Sequence, residues 1–132
     1  MWKQRLMKAG QMVALYLFWP AVVLVAWGEL TPHDPQALAH VWDKLLHFCA
    51  YFGLACLVTL ALSARGPALW SVLGLMTLGA ILEILQGFTG RDPSIFDELA
   101  NILGATTGGG LGWLIAAVLR SKTLLAPSVE RE

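Results

Sequence analysis

The chain has 132 residues, of which 57% are hydrophobic and 14% charged, with nine Lys and Arg against nine Asp and Glu, and a mean hydropathy of +0.64. Soluble domains carry about 25% charged residues, so this composition excludes an ordinary soluble enzyme domain, a disordered chain and a disulfide-stapled secreted module. A formal charge of zero leaves no basic field to hold nucleic acid, which is excluded as a partner.

Four apolar blocks account for the shortage of charge, each close to the ~20 residues that cross a bilayer as a helix. The first predicted helix covers about residues 12–28 and follows Lys3, Arg5 and Lys8. Ala26 and Gly28 also fit a signal-peptide cleavage site. However, the apolar stretch is long for a signal core and bulky Trp27 abuts the site, so an uncleaved helix is preferred. Pro20 bends this helix, which membrane helices tolerate. In the following connection Asp34-Pro35 reads as an N-cap and first helical position, opening a short surface helix through Trp42. The second helix is expected over 45–63, with Asp43 as its N-cap, and the third over 68–86. The fourth is expected over 95–119, opened by Asp92-Pro93-Ser94, and the tail over 121–132 is polar and frayed. Cys49 and Cys56 stand ~10 Å apart along one helix, too far for a disulfide, and read as small packing residues. The expected architecture is all-α: one membrane domain of four transmembrane helices.

Charge sets the expected orientation. Lys3, Arg5, Lys8, Arg65, Arg120, Lys122 and Arg131 fall on one side, and only Lys44 and Arg91 on the other. The positive-inside rule then makes both termini cytoplasmic. Glu29, Asp34, Asp43, Asp92, Asp97 and Glu98 lie outside, with Glu83 near the outer end of the third helix.

The groups capable of chemistry therefore collect at one end. Asp43, His47 and Tyr51 recur at i, i+4 and i+8, with Lys44 beside them; Glu83 and Gln86 are one turn apart; Asp97 and Asn101 open the fourth helix at i and i+4. A polar group left facing hydrocarbon costs several kcal/mol, so these stripes are expected to meet inside the bundle. Below Asn101, Gly104, Gly108 and Gly112 continue the same face, beside Gly109 and Gly110. Glycines at that spacing let helix backbones approach closely. They read as a packing seam and not as a phosphate loop, which needs a strand-to-helix turn.

Asp43-Lys44-Leu-Leu-His47 with Tyr51, followed by Glu83-Ile-Leu-Gln86, Phe88, Arg91, Asp97, Asn101, Gly104 and Gly108, resembles the VanZ-like family of small bacterial membrane proteins. The resemblance runs from about residue 43 to 112. It implies a setting at the outer face of a bacterial inner membrane. It also implies contact with lipid-linked envelope molecules and a link to tolerance of teicoplanin, a lipid-tailed glycopeptide; it does not supply a reaction.

Each polar residue has a structural reading beside its functional one. A carboxylate inside a membrane helix is a functional candidate by default, and Glu83 has Arg91, Lys44 or His47 as prospective partners, or is neutral. Asp97 and Asn101 also serve as a capping and helix-bridging pair. Lys44 and Arg91 also suit the headgroup level, and Tyr51 suits packing with its hydroxyl on a neighbour. His33, His40 and His47 are spaced by seven, a poor chelating pattern where i, i+3 or i, i+4 is favoured. No metal or other cofactor is expected.

Two classes of function remain open. In the first, a binding or scaffold protein uses Asp43, Lys44, His47, Tyr51, Glu83, Gln86, Arg91, Asp97 and Asn101 to hold an amphiphile's headgroup or a partner membrane protein, including a second copy of itself. In the second, an intramembrane enzyme acts on a lipid-linked substrate, with His47 or Glu83 as general acid/base, Asp97 orienting it and Arg91 stabilising developing negative charge. A purely structural polar weld is the third reading.

Overall fold

A computed structural model describes residues 2–32, 39–62 and 65–124, with side chains for all of these except 2–4, 6, 39–41, 65 and 122–124. Its elements are α1 (Trp2–Leu30), α2 (Ala39–Leu62), α3 (Arg65–Thr89) and α4 (Ile95–Leu124). All four are long and apolar enough to cross a membrane.

The helices outrun the expected spans. α1 is continuous through Pro20 and carries Glu29 in its last turn. α2 begins at Ala39, so Asp43 lies inside the helix and is not its N-cap, and Trp42 belongs to α2 and not to a separate surface helix. α4 begins at Ile95 as expected, and its N-cap is Ser94, whose carbonyl accepts from Asp97 N–H at 2.9 Å and Glu98 N–H at 3.3 Å. It continues to Leu124, past the expected end. Asp34-Pro35, His33 and residues 125–132 lie outside the described residues.

α2 and α4 share the largest interface, and the glycine seam explains why. A Cβ on Gly104 would run into the Phe48 carbonyl, one on Gly108 into the Phe52 carbonyl and Cα, and one on Gly112 into Cys56 backbone and the Thr59 hydroxyl. The two backbones are therefore in direct contact over two turns, as small residues at four-residue spacing permit. The pairing advances in step along both helices, so α2 and α4 run parallel. Gly79 of α3 faces Asn101 of α4, and Val72 faces Gly109, so α3 runs antiparallel to α4. The bundle is up-down-up-down. Tyr51, Leu54, Ala55, Val58, Leu75 and Ala105 form the shared core, onto which Phe18 of α1 packs.

The outer surface is apolar. Tyr16, Trp27, Trp70, Phe88 and Ile95 are each at least 66% exposed, an arrangement that lipid accommodates and water does not. Cys49 is also exposed and so is not a packing residue. Within the spans, Thr59, Ser71, Thr77, Thr106 and Thr107 each donate to a carbonyl one turn back on their own helix, which satisfies a hydroxyl in hydrocarbon.

Candidate functional site

The C-terminal ends of α1 and α3 meet the N-terminal ends of α2 and α4, and all four deliver polar side chains to one cluster. Lys44 Nζ donates to Asp97 Oδ1 at 3.0 Å, joining α2 to α4. Asn101, fully buried, makes a second bridge between the same helices. Its amide nitrogen donates to Glu98 Oε2 at 3.2 Å, which turns its Oδ1 toward His47 Nδ1 at 3.0 Å. Glu83 of α3 accepts the Ser94 N–H at 2.9 Å on Oε2. It thereby satisfies one of the backbone donors that every helix start leaves open, here the one at the start of α4.

Arg91 is positioned by local backbone chemistry. α3 ends in a Schellman turn: Gly90 adopts φ +84° and the Arg91 N–H reaches back to the Gln86 carbonyl at 3.2 Å. Glycine is favoured there because the left-handed region penalises a Cβ. The turn aims the guanidinium across the bundle. Nη2 donates to Asp43 Oδ1 at 2.9 Å, and Nη1 donates to the carbonyls of Glu29 at 2.9 Å and Gly28 at 3.3 Å. A cation on the last carbonyls of α1 also offsets the negative end of that helix.

Glu29 is the member that sequence reasoning missed. It is only 7% exposed, and its Oε1 lies 3.3 Å from His47 Nδ1. Tyr51 lies one turn below His47 on α2 and is fully buried. No hydrogen bond of good geometry forms: among the described residues both Glu29 oxygens, the Tyr51 hydroxyl, Glu83 Oε1 and Gln86 Nε2 are buried without one. A signal for Glu29 was present, because Ala14, Phe18, Val22, Val25 and Glu29 recur at helical spacing along the buried face of α1. Placing the helix end at Gly28 cut the series one residue short. Glu98 was likewise read only as an outside acid.

Of the nine ligand residues expected from the sequence, Asp43, Lys44, His47, Glu83, Arg91, Asp97 and Asn101 make hydrogen bonds or ion pairs at this end. Tyr51 and Gln86 are buried with no such bond from the side chain among the described residues, and the partners are not always those expected. Glu83 pairs with the Ser94 backbone and not with Arg91, Lys44 or His47. The Tyr51 hydroxyl is not satisfied by a neighbour. Lys44 and Arg91 are engaged with Asp97 and Asp43 and are not directed only to the headgroup level. Phe88, part of the family-like pattern, is 83% exposed and lies outside the cluster. Five carboxylates, from Glu29, Asp43, Glu83, Asp97 and Glu98, share this end with the two cations Lys44 and Arg91.

Four long apolar helices with an apolar exterior and one buried polar end define a multi-pass helical membrane protein. Compared with protein-family models, with curated proteins and with solved structures, the chain finds no match.

Proposed function

We propose that the chain is an inner-membrane protein of the VanZ-like kind whose polar cluster binds the head of a membrane amphiphile, such as a lipid-linked cell-envelope molecule. The observation that carries this reading is the unused hydrogen-bonding capacity of Glu29, Tyr51, Glu83 and Gln86 within a buried site. Each such group left unsatisfied costs about 1–3 kcal/mol, which a ligand recovers on binding. Most of this capacity is acceptor capacity, and the two cations are already engaged by carboxylates. Both facts favour a head bearing hydroxyl or ammonium groups over a simple anion.

An amphiphile also explains a second feature. About two turns below Glu83, α3 and α4 separate into an apolar cleft of about 400 Å³ lined by Val72, Leu73, Met76, Gly109 and Trp113, which suits an acyl or prenyl tail. The charge asymmetry of the sequence puts the cluster on the extracytoplasmic side with both termini inside. A role in teicoplanin tolerance belongs to this reading through the family resemblance alone.

Chemistry is the second reading, and one observation favours it. His47 Nδ1 is held between Asn101 Oδ1 at 3.0 Å and Glu29 Oε1 at 3.3 Å, the kind of support given to a general base.

Native mass spectrometry of protein extracted from its own membranes tests both. The wild type is expected to carry one defined adduct distinct from bulk phospholipid. Retention should fall three- to tenfold in Gln86→Leu and in Tyr51→Phe, the loss expected for one hydrogen bond. An adduct of different mass on His47→Gln than on wild type would indicate turnover. Bulk phospholipid alone on every form would overturn the amphiphile reading.

A further inference from the structure

We propose that Asp43, His47 and Asp97 form a binding site for one divalent transition-metal ion of the Zn²⁺ or Mn²⁺ class. One ligand atom from each of the three lies within 4.8 Å of the other two. In the tetrahedral geometry zinc prefers, bonds of ~2.0–2.2 Å hold donors ~3.3–3.6 Å apart, so the three side chains draw together by about an ångström to close the set. Asp43 and His47 stand at i and i+4 on α2, the spacing at which two ligands on one helix face a common ion. Asp97 comes from the first turn of α4. One imidazole with two carboxylates suits Zn²⁺ or Mn²⁺, whereas Mg²⁺ and Ca²⁺ prefer oxygen ligands alone.

An independent observation lies behind the imidazole. The Asn101 amide nitrogen is committed to Glu98, so the atom it presents to His47 Nδ1 is the acceptor Oδ1. Glu29 Oε1 approaches the same nitrogen. Two acceptors at Nδ1 place the ring proton there and leave the lone pair on Nε2. A metal-ligating histidine commonly has its other nitrogen held in this way by a carboxylate or carbonyl. Glu29 is more than nine-tenths buried and its carboxylate faces His47 Nδ1 from behind at 3.3 Å.

Charge points the same way. Five carboxyl groups share this cluster with two permanent cations and His47, and a divalent cation adds positive charge beside Asp43 and Asp97. Each ion pair engages Oδ1 of its carboxylate and leaves Oδ2 to the ion, and Lys44 at Asp97 and Arg91 at Asp43 oppose the ion through their charge. The histidine series spaced by seven plays no part. The site goes beyond the amphiphile reading and forms with or without a lipid bound.

The test uses detergent-purified protein stripped with a chelator and titrated calorimetrically with Zn²⁺ or Mn²⁺ alone. One ion per chain is expected. His47→Gln and Asp97→Asn should each weaken binding at least about 100-fold, Glu29→Gln about 10–100-fold, and Lys44→Gln should tighten it. Asp92→Asn, an exposed acid on the adjoining connection, should leave it unchanged. Absence of stoichiometric binding by wild type, or equal binding by all variants, would overturn the proposal. Should the variants fail to fold, electron paramagnetic resonance of Mn²⁺ on wild type decides. Nitrogen coupling from one imidazole is expected, and an all-oxygen environment would overturn the site.

Discussion

Gly108→Ala is expected to destabilise the bundle by at least about 3 kcal/mol, the upper end of the usual range for overpacking, and to lower the amount of folded protein recovered from membranes. The added Cβ would overlap the Phe52 carbonyl, with the Phe52 Cα only 2.7 Å away. Backbone cannot rotate aside as a side chain can, so α2 and α4 must separate along the seam. Gly110→Ala is the matched control. Nothing lies within 4 Å of a Cβ at Gly110, and the substitution should be neutral or stabilising by up to ~1 kcal/mol through helix propensity. Thermal unfolding in detergent, followed by size-exclusion chromatography, reads both. Comparable losses in the two variants would mean that the helices do not touch where the seam places them.

Arg91→Ala should carry the second large effect, about 2–4 kcal/mol. The guanidinium serves three acceptors at once: the Glu29 and Gly28 carbonyls at the end of α1, and Asp43 on α2. Its side chain is only 13% exposed, so its loss leaves an uncompensated carboxylate and an uncapped helix end in a dry environment. Arg91→Lys should recover about half of the loss, because an ammonium restores the charge but cannot fork between the two helices. The same unfolding assay checks this, and limited proteolysis should show α1 as the helix released first. Equal stability of all three forms would remove the clamp from the account.

Much of this arrangement was legible in the sequence because the bilayer narrows the options. Hydrocarbon leaves few places for Asp43, His47, Glu83, Gln86, Asp97 and Asn101 except the inside of a bundle, and their helical spacing assigned them to faces. What was lost depended on helix ends. Apolar blocks show where lipid begins, not where a helix stops, so α1 was closed at Gly28 and Glu29 was left among loop acids. The same limit made Asp43 an N-cap when α2 starts a full turn earlier.

Partner choice was not legible either. Nothing in the sequence says that Arg91 spans two helices, because that depends on the direction in which the Gly90 turn launches it. Asp43 and His47 stand four residues apart on α2, a spacing that the histidine series alone does not contain. Nor does sequence separate the fourth helix's glycines: Gly104, Gly108 and Gly112 meet α2 backbone and Gly109 meets Val72, whereas Gly110 meets nothing within 4 Å.

The meeting of polar helix ends inside the bundle is the claim on which the site rests, and a charge swap at Lys44 and Asp97 tests it most directly. The two groups are 3.0 Å apart on different helices, with Asp97 almost fully buried. Lys44→Asp and Asp97→Lys, made singly, should each sharply reduce folded protein by setting like charges together. The double variant should recover at least half of the loss, a coupling of about 1–3 kcal/mol in a double-mutant cycle. Additive losses with no recovery would mean that α2 and α4 do not bring these residues together, and the cluster described here would not exist.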